Sequence, residues 1–436
     1  MPQPAHDTQF HALTMALQAL SLCALVLALA AGAVIARAQV SPTLAGVSDP
    51  AVVGVADWTV LVYMASDNNL ESAALNNLRD IAHVGSSARI KIVAQVDRIS
   101  SPESWDDITA GNWTGTNRFL IQPGMEPDAA AAVECMGELN TGDPATLSDF
   151  ITWGMTNYPA RHYALILWSH GGAWQGLASD DSSGGDSLTL PELGAALATS
   201  RARTGYAKLD LIGFDACLMA QLDVLQAIAP YARVAVASAE IEPAQGWAWA
   251  AWLGALAANP GQDAAAIAGV IVDSYISAYQ STADVTLAAF DLAEVGHISA
   301  GLDRLAGALH AGDPAAAARI ADARAAVDVY APSTPGAFNS VDLGGLTQLL
   351  ATHGATSEVT AAAEVMAGAI QQARVAYGAG QPHRAGSGIS IYFPQTAAEY
   401  VRAYEEDSPL TGWAKFLKVY HHSAPPQVAR ADRAAW

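Results

Sequence analysis

A cysteine and a histidine each follow a predicted buried strand. Residues 163–168 form one strand and His170 comes directly after it; residues 209–214 form another, and Cys217 comes after that one. Ligands of open α/β proteins bind at the carboxyl ends of the strands, so the two side chains are expected to lie side by side at one sheet edge. A cysteine nucleophile needs a base within hydrogen-bond reach. The pattern therefore predicts nucleophilic catalysis, with Cys217 as nucleophile and His170 as base.

Backbone groups beside these residues complete the predicted site. A tetrahedral intermediate needs two fixed N–H donors, and we expect them from Gly171 and from Cys217 itself. Glycine at 171 allows a close backbone approach. We also expect a helix to begin at Leu218, because its N-terminal dipole would favour the thiolate. No third residue that orients the imidazole is evident, and a dyad would suffice.

Each of these residues also has a structural interpretation. A buried cysteine after a strand is usually a small core residue, and a histidine before two glycines is usually a turn residue. Their joint placement at two strand ends favours the catalytic interpretation.

Three other enzyme classes fit the sequence less well. The His-Gly-Gly-Ala run at 170–173 resembles a lipase oxyanion loop, but no Gly-x-Ser-x-Gly motif follows it. The Gly-Asp-Ser-Leu run at 185–188 follows a polar loop rather than the first strand, and we expect Ser187 to cap the next helix. The scattered histidines do not form the His-Glu-x-x-His pattern of a zinc peptidase.

The charge balance argues against two classes of binding partner. The 436 residues include 42 Asp and Glu against 21 Lys and Arg, for a net charge of −21. Nucleic-acid binding and docking on an anionic membrane surface both need clustered basic residues, so neither is expected. Hydrophobic residues make up 52% of the chain, enough for a large core. Length alone predicts two or three domains.

The first 38 residues are expected to direct export. Residues 12–35 are almost wholly apolar, and Ala36-Arg37-Ala38 fits the small-x-small cleavage pattern. No Lys or Arg precedes the apolar run, which is also long enough to span a bilayer. The segment is therefore either a cleaved signal peptide or a retained membrane anchor, and both place the remaining chain outside the cell.

Export affects how the cysteines are interpreted. Cys23, Cys135 and Cys217 are too few for a disulfide scaffold and too scattered for a zinc site. Removal of residues 1–38 would leave Cys135 and Cys217, which either form a disulfide in an oxidising compartment or include one working thiol. The context of Cys217 favours the working thiol.

Apolar periodicity predicts alternating strands and helices from residue 57 to about 255. The predicted strands are 58–64, 90–96, 163–168, 209–214 and 234–237, with a hairpin at 113–121 beside the sheet. The predicted helices between them are 70–81, 143–158, 188–198 and 218–229. This alternation indicates a parallel sheet covered on both faces. Beyond 255, Ala-rich stretches predict helices at 264–280, 293–308, 314–328 and 356–377, followed by a strand at 388–393.

Seven short motifs resemble the clostripain-like cysteine peptidases, which have a caspase-like fold. In chain order they are WTVLVYMASDNN (58–69), YALILWSHGGAW (163–174), GDSLTL (185–190), GFDACLM (213–219), EPAQGW (242–247), SGISIYFP (387–394) and TGWAKFL (411–417). The resemblance covers residues 57–421. It implies a peptidase in which His170 is the base and Cys217 the nucleophile, and which cleaves peptides or proteins after Arg or Lys.

Acidic residues near the nucleophile suit a basic side chain at P1, the substrate residue before the cleaved bond. Such a pocket needs a carboxylate at its floor, and Asp215 lies two residues before Cys217. Glu240 and Glu242 follow the fifth predicted strand at the same edge. In relatives the residue before the Gly-Trp pair is often acidic and helps bind the P1 base, whereas here it is Gln245.

The resemblance also bears on cofactors and processing. No cofactor is required, but some relatives use calcium, and Asp180, Asp181 and Asp186 form the loop that would bind it here. Relatives are often cut at a basic site between the histidine and the cysteine. Residues 171–200 contain no Lys or Arg, and Arg201 and Arg203 come first after them. Self-cleavage at the usual place is therefore not expected.

Together these observations predict an exported cysteine endopeptidase of α/β class, with a caspase-like, mainly parallel sheet between helices and an Ala-rich helical extension. The alternative is a catalytically silent exported binding protein on the same scaffold. The predicted segments are a signal or anchor (1–38), a linker (39–56), a catalytic domain (57–255), a helical region packing on it (256–422) and a disordered tail (423–436).

Overall fold

The computed structural model describes residues 55–99, 107–279, 284–310, 313–331, 338–353 and 356–423. The predicted signal or anchor, nearly all of the predicted linker and nearly all of the predicted tail lie outside these residues. Ala56, the last residue of the predicted linker, already begins the first strand. Among the described residues, no helix has the length and apolar character that crossing a membrane requires.

Most of the strands belong to one large sheet. In chain order the strands are β1 (Ala56–Ser66), β2 (Ile90–Arg98), β3 (Gly115–Leu120), β4 (Glu134–Gly137), β5 (Ala160–Trp168), β6 (Leu177–Asp180), β7 (Asp186–Leu188), β8 (Leu209–Asp215), β9 (Ala232–Ala237), β10 (Thr286–Asp291), β11 (Ser340–Asp342), β12 (Arg374–Ala379) and β13 (Ser390–Tyr392). The large sheet has the order β12-β10-β9-β8-β5-β1-β2-β3-β4, and the pairs β6-β7 and β11-β13 form two small sheets.

The centre of the large sheet is parallel. Strands β2, β1, β5, β8 and β9 pair parallel with their neighbours, whereas β3 and β10 pair antiparallel with the outer members of this group. All seven residues of β8 are buried, as expected for a strand covered on both faces. The predicted α/β class with a mainly parallel sheet is confirmed.

Helices cover both faces of this sheet. In chain order they are α1 (Glu71–Val84), α2 (Pro144–Asn157), α3 (Leu190–Thr204), α4 (Leu222–Ile228), α5 (Trp249–Ala258), α6 (Ala264–Ala278), α7 (Val295–Ala308), α8 (Pro314–Ala326), α9 (Leu343–His353), α10 (Ser357–Ala373), α11 (Tyr404–Asp407) and α12 (Thr411–Ser423). Helices α1, α5 and α6 bury their apolar residues in one core, and the other large core includes residues of α2, α3, α4, α7 and α10. The sheet therefore separates two hydrophobic layers.

The Ala-rich C-terminal half completes the same sheet. The predicted boundary at 255 falls within α5, and β10 and β12 extend the sheet beyond β9. The helix predicted at 356–377 ends at Ala373, and its last residues form β12 instead. Tertiary pairing with β10 accounts for this difference, because the edge of β10 supplies backbone partners that a helix would not use. The region is thus not separate from the core.

Candidate active site

The two neighbouring strands β5 and β8 carry the predicted nucleophile and base. They pair parallel, with Trp168 opposite Asp215 at their last residues. His170 and Cys217 each come two residues beyond that pair, so both leave the sheet at the same edge. The structure therefore brings together the two segments that the sequence predicted to meet.

Gly171 makes this close approach sterically feasible. A Cβ atom added at Gly171 would lie 2.1 Å from the carbonyl oxygen of Cys217 and 3.0 Å from its backbone nitrogen. No side chain fits in that space, because real Cβ atoms do not approach backbone atoms so closely. The absence of a side chain at 171 is what lets the histidine segment lie directly on the cysteine segment.

The chain after Cys217 makes a turn rather than a helix. Leu218 has φ 67°, in the left-handed region, and the next helix begins only at Leu222. The loop is held by hydrogen bonds from the Leu218 N–H to the Glu240 carbonyl (3.2 Å) and from the Ser390 N–H to the Ala220 carbonyl (2.8 Å). The predicted helix start at Leu218 is wrong, because these contacts with the segment after β9 and with β13 hold the backbone in a non-helical conformation. The helix that follows therefore does not begin beside the thiol.

The thiol of Cys217 is partly buried and protonated at rest. The N–H of Glu242 donates to its sulfur at 3.3 Å. Burial raises the pKa of Cys217, although this hydrogen bond acts in the opposite direction. To act as the predicted nucleophile, Cys217 would need a base to remove its proton.

The imidazole of His170 has a partner that the sequence did not reveal. Its Nε2 lies 2.6 Å from Oδ1 of Asn69, which follows the adjacent strand β1. Burial lowers the pKa of His170, so the ring is neutral near pH 7. The amide oxygen of Asn69 accepts the Nε2 proton, and this leaves Nδ1 as the basic nitrogen. Within the described residues, no hydrogen bond joins the imidazole to the Cys217 thiol, as is common in substrate-free sites.

Two backbone donors remain available beside the thiol. Among the described residues, neither the N–H of Gly171 nor that of Cys217 donates a hydrogen bond to another residue. Both residues are partly exposed, so their N–H groups are free to bind a ligand. Such donors are suited to a developing oxyanion.

Asp215 has a buried carboxylate two residues before Cys217. Its Oδ2 accepts hydrogen bonds from the N–H of Trp247 (3.1 Å) and from Nε1 of Trp249 (3.0 Å). The backbone of Gly246 packs against it, since a Cβ at that glycine would lie 2.8 Å from the same oxygen. Burial raises the pKa of Asp215 to about 6. The sequence prediction of an acid near Cys217 agrees with this position.

Glu242 forms a second buried acid beside Asp215. Among the described residues, neither of its carboxylate oxygens has a hydrogen-bond donor, and the nearby Tyr275 hydroxyl is also buried without a partner. Burial, together with the charges of Asp215 and Cys217, raises the pKa of Glu242 well above its usual value. The raised pKa favours a protonated Glu242 when no cation is present.

The other two predicted pocket residues have different roles. The Glu240 carboxylate is occupied, because it accepts hydrogen bonds from the backbone N–H groups of Ile241 (2.7 Å) and Ala331 (2.9 Å) and pairs with His383 Nε2 at 3.3 Å. The prediction that Glu240 binds substrate is therefore not supported. Gln245 is exposed, and its backbone oxygen accepts a hydrogen bond from Asn77 (2.9 Å).

The two described cysteines are not joined by a disulfide. Cys135 lies on the edge strand β4 and Cys217 follows β8, with four strands between them. Five strand spacings correspond to about 24 Å, far beyond the reach of a disulfide. The disulfide alternative is excluded in this fold, and Cys217 keeps its thiol.

The three acids predicted to bind calcium differ in exposure and in partners, although β6 pairs with β7 so that Asp180 is opposite Asp186. Asp180 is fully buried, Asp181 is exposed, and Asp186 Oδ2 accepts a hydrogen bond from Asn140 at 2.6 Å. Asp186 lies in β7, and the next helix is capped by Thr189, so Ser187 does not have its predicted capping role. Thr189 caps this helix instead, because its hydroxyl and the Glu192 carboxylate form a reciprocal capping box.

Comparison with known sequences identifies the family. Residues 62–420 match the family model described as the clostripain family. Clostripain from Hathewaya histolytica is 27% identical over 188 residues, which are 38% of this chain and 35% of that protein. The chain thus spans about a third of the length of this curated relative.

Solved structures agree with the fold. A secreted C11 cysteine protease from Bacteroides thetaiotaomicron, in complex with an irreversible peptide inhibitor, has a TM-score of 0.60 and 18% identity, covering 83% of this chain and 99% of its own. An inactive zymogen C11 protease from Parabacteroides distasonis has a TM-score of 0.58 and 22% identity, covering 85% and 99%. Because the family model spans most of its length, this chain belongs to the clostripain family.

Proposed function

We propose that the protein is an exported cysteine endopeptidase that uses Cys217 and His170 and cleaves after Arg or Lys. The observation that carries this proposal is the meeting of both segments at one sheet edge, where Gly171 lies against the Cys217 backbone. Nucleophile, base and two N–H donors then face one small region. The family and the solved relatives described as cysteine proteases support the same reaction class.

The proposed reaction has two stages. His170 Nδ1 takes the thiol proton while the Cys217 sulfur bonds to the scissile carbonyl carbon, and the carbonyl π electrons move to its oxygen. The Gly171 and Cys217 N–H groups stabilise that oxyanion. The C–N bond then breaks as the imidazolium protonates the leaving amine. Water attacks the thioester with His170 as base, which releases the acid and restores the thiol.

A basic side chain at P1 suits the two buried acids. Asp215 and Glu242 lie beside Cys217, and no described cation pairs with either of them. Buried carboxylates without a countercharge are costly, so a guanidinium or ammonium group that enters the pocket relieves that cost. This balance favours substrates with Arg or Lys at P1.

Labelling with an Arg-based thiol-reactive probe tests the nucleophile. The full chain should be labelled and should cleave an Arg peptide, and Cys217→Ala should lose both properties. Cys135→Ala is the matched control and should retain both. Unchanged turnover in Cys217→Ala would overturn the mechanism, and a folded wild type that neither reacts nor cleaves would favour the silent binding protein.

Peptides that differ only at P1 test the specificity. An Arg peptide and its citrulline counterpart have nearly the same shape but differ by one charge. We expect cleavage of the Arg peptide to exceed that of the citrulline peptide by about 100-fold, the magnitude of a buried charge pair. Equal cleavage of the two would remove Asp215 and Glu242 from the proposed pocket.

Fractionation of the expressing cells tests export. The apolar run at 12–35 and the Ala36-Arg37-Ala38 site support an exported protein, and one solved relative is described as secreted. A mature N-terminus at residue 39 in the medium would indicate a cleaved signal peptide. Full-length protein in the membrane fraction would indicate a retained anchor, and protein confined to the cytosol would contradict export.

A further inference from the structure

His383 is a buried histidine outside the candidate dyad, in the loop between β12 and β13. Its Nδ1 lies 2.7 Å from Oδ2 of Asp328, and its Nε2 lies 3.3 Å from Oε2 of Glu240. An ionised carboxylate can only accept hydrogen bonds, so both ring nitrogens donate. The arrangement therefore requires a protonated imidazole, which carries one positive charge.

Glu240 connects this charge with the thiol. The Glu240 carbonyl accepts the N–H of Leu218 (3.2 Å), the residue directly after Cys217. Two residues further along the same segment, the N–H of Glu242 donates to the Cys217 sulfur at 3.3 Å. The segment that His383 holds thus contacts both the thiol and the turn that follows it.

His383 is the countercharge of Glu240. Glu240 is buried, and among the described residues the imidazole is the one cation with which its carboxylate forms an ion pair. A buried carboxylate without a countercharge is costly. The charge of Glu240 also acts on the thiol, because burial raises the pKa of Cys217 and the charges of Asp215 and Glu240 raise it further. Without the charge of His383, the carboxylate of Glu240 would oppose formation of a thiolate more strongly.

The surroundings of His383 keep its ring charged at neutral pH. Burial lowers the pKa of His383, but the hydrogen bonds and charges of Asp328 and Glu240 outweigh burial and raise that pKa to about 9. The segments packed around this loop carry further titratable or charged side chains, and none of them forms an ion pair with His383 among the described residues. These side chains are Tyr330, Asp342, Arg374, Tyr377 and Arg384.

We propose that His383 is a positioning residue whose imidazolium neutralises Glu240 and thereby allows the Cys217 thiol to ionise. The effect rests on the proposed function, because it concerns the sulfur that would act as nucleophile. His383 acts through the segment from 240 to 242, which contacts the thiol and the turn after it. The C-terminal half would then supply a charge to the active site as well as strands to the sheet.

Alkylation by iodoacetamide tests the thiol without any need for catalysis. The thiolate displaces iodide from the reagent, so the pH dependence of the rate reports how readily Cys217 ionises. We expect His383→Gln to shift this dependence by about one unit toward higher pH, which lowers the rate at pH 7 about tenfold. Mass spectrometry of the peptide that contains Cys217 measures the rate. A wild-type profile in His383→Gln would overturn this role of His383.

His297→Gln is the matched control for the alkylation. His297 also pairs with an acid, since its Nδ1 lies 2.8 Å from Oε2 of Glu294, but its side chain is exposed. This variant should keep the wild-type profile, because the lost charge does not face the segment behind the thiol. A shift as large as that of His383→Gln would mean that any lost histidine charge has this effect, and would overturn the specific role of His383.

Removal of the Glu240 charge provides a rescue. Adding Glu240→Gln to His383→Gln preserves the size of the glutamate but removes the carboxylate that needed a countercharge, so the alkylation profile should return to that of the wild type. Glu240→Gln alone should react at least as fast as the wild type at pH 7. A double variant as slow as His383→Gln, or slower alkylation in Glu240→Gln alone, would overturn the electrostatic link.

Thermal unfolding checks the charge of the imidazole itself. Folding raises the pKa of His383 from 6.5 to about 9, so its contribution to stability is complete below pH 6.5 and is lost as pH rises through about 9. The difference in unfolding temperature between the wild type and His383→Gln should therefore be largest at pH 6 and shrink toward pH 10. A difference that does not depend on pH would show a neutral ring, and would overturn the ion pair.

Peptide cleavage connects this charge with the proposed reaction. His383→Gln should lower kcat for an Arg peptide about tenfold with little change in KM, because Asp215 and Glu242 remain to bind the P1 side chain. Wild-type kcat should fall above about pH 9, and the double variant should lack this alkaline limb. Identical kcat profiles in the wild type and His383→Gln would overturn the link with the reaction. A wild type that cleaves nothing, while alkylation shifts as expected, would instead contradict the proposed function and support the role of His383.

Discussion

Among single residues, the site combines a neutral imidazole, a protonated thiol and a pair of buried acids. Burial favours the uncharged form of each group: it lowers the pKa of His170 and raises those of Cys217, Asp215 and Glu242. In the proposed function, the basic side chain of the substrate would compensate the acids and its carbonyl carbon would receive the thiol sulfur. Charge in this site is therefore expected to appear together with the substrate.

The acid pair predicts a pH dependence for Arg peptides. Since a carboxyl group is neutral below its pKa, acidification through about pH 6 removes the charge of Asp215. We expect KM for an Arg peptide to rise below about pH 6, while KM for the citrulline peptide stays level. Steady-state kinetics from pH 4.5 to 8 measure this, and parallel KM profiles for the two peptides would contradict it.

Glu242→Gln is expected to stabilise the fold. The folded state raises the pKa of Glu242, so its contribution to stability is greatest at low pH and is lost as pH rises through the folded pKa. At pH 8 the amide removes this cost, and we expect the unfolding temperature to rise by at least about 2 °C, with a smaller rise at pH 5. The exposed Glu364→Gln serves as control for calorimetry. A lower unfolding temperature at pH 8 would refute the argument.

Asn69 is expected to act as a positioning residue. Asn69→Ala should lower kcat about tenfold with little change in KM, because the imidazole loses its only orienting side chain among the described residues. The unfolding temperature should not change, since Asn69 is exposed. Asn69→Asp should restore much of kcat and shift the acidic limb of the pH–rate profile upward, because an anion favours the imidazolium. A variant profile identical to that of wild type would argue for a bystander.

At the scale of elements, the site depends on how two loops leave the sheet. The loop after β5 can lie on the loop after β8 because residue 171 has no side chain. The second loop does not enter a helix at once, because Leu218 adopts φ 67° and its N–H donates to the Glu240 carbonyl after β9. A left-handed conformation at a leucine costs about 1–3 kcal/mol, so the surrounding contacts must hold it.

Gly171→Ala tests this contact between loops. The new methyl group would collide with the Cys217 carbonyl at 2.1 Å, so we expect the loops to separate and kcat/KM to fall at least about 100-fold. Gly172→Ala is the control, because its Cβ would meet its nearest atom, the Gly176 oxygen, at 3.3 Å, a much longer distance than that at Gly171. Circular dichroism should show both variants folded. Full activity in Gly171→Ala would mean that the loops need not touch.

Local sequence patterns determined which of these elements could be predicted. The apolar runs of β1, β2, β5, β8 and β9 made the parallel centre, and hence the edge shared by His170 and Cys217, accessible to sequence reasoning. Strand β10 was not predicted, because Leu287-Ala288-Ala289 lacks β-branched residues. Strand β12 was not predicted, because its sequence continues the helical periodicity of α10. The role of Asn69 was not predicted, because its partner His170 is 101 residues away in sequence. A polar residue directly after β1 was nevertheless a usable signal, because ligands bind at the carboxyl ends of parallel strands.

At the scale of the whole molecule, the sheet is built by both halves of the chain. Strand β9 is the last parallel strand, and β10 and β12 from the Ala-rich half cover its open side. Backbone groups left unpaired at a sheet edge promote aggregation. The C-terminal half therefore completes the sheet of the first half rather than forming a separate unit.

Truncation tests this dependence. A chain that ends after residue 258 would expose β9 and the cores that α6 and α7 cover, and we expect it to aggregate. A chain that ends after residue 423 retains every described element and should elute as the full chain does. Size-exclusion chromatography distinguishes the two, and a compact, soluble fragment ending at 258 would show that the first half folds alone.

The hydrogen bond from the Ser390 N–H to the Ala220 carbonyl has a consequence for biosynthesis. The loop that carries the thiol is braced by a strand that the ribosome makes some 170 residues after it. A nascent chain can pair β5 with β8 well before that brace exists, and its loop is then held only by contacts with the segment after β9. The proposed protease would thus complete its active site only when translation is nearly finished, so an incomplete chain would not cleave proteins of the producing cell.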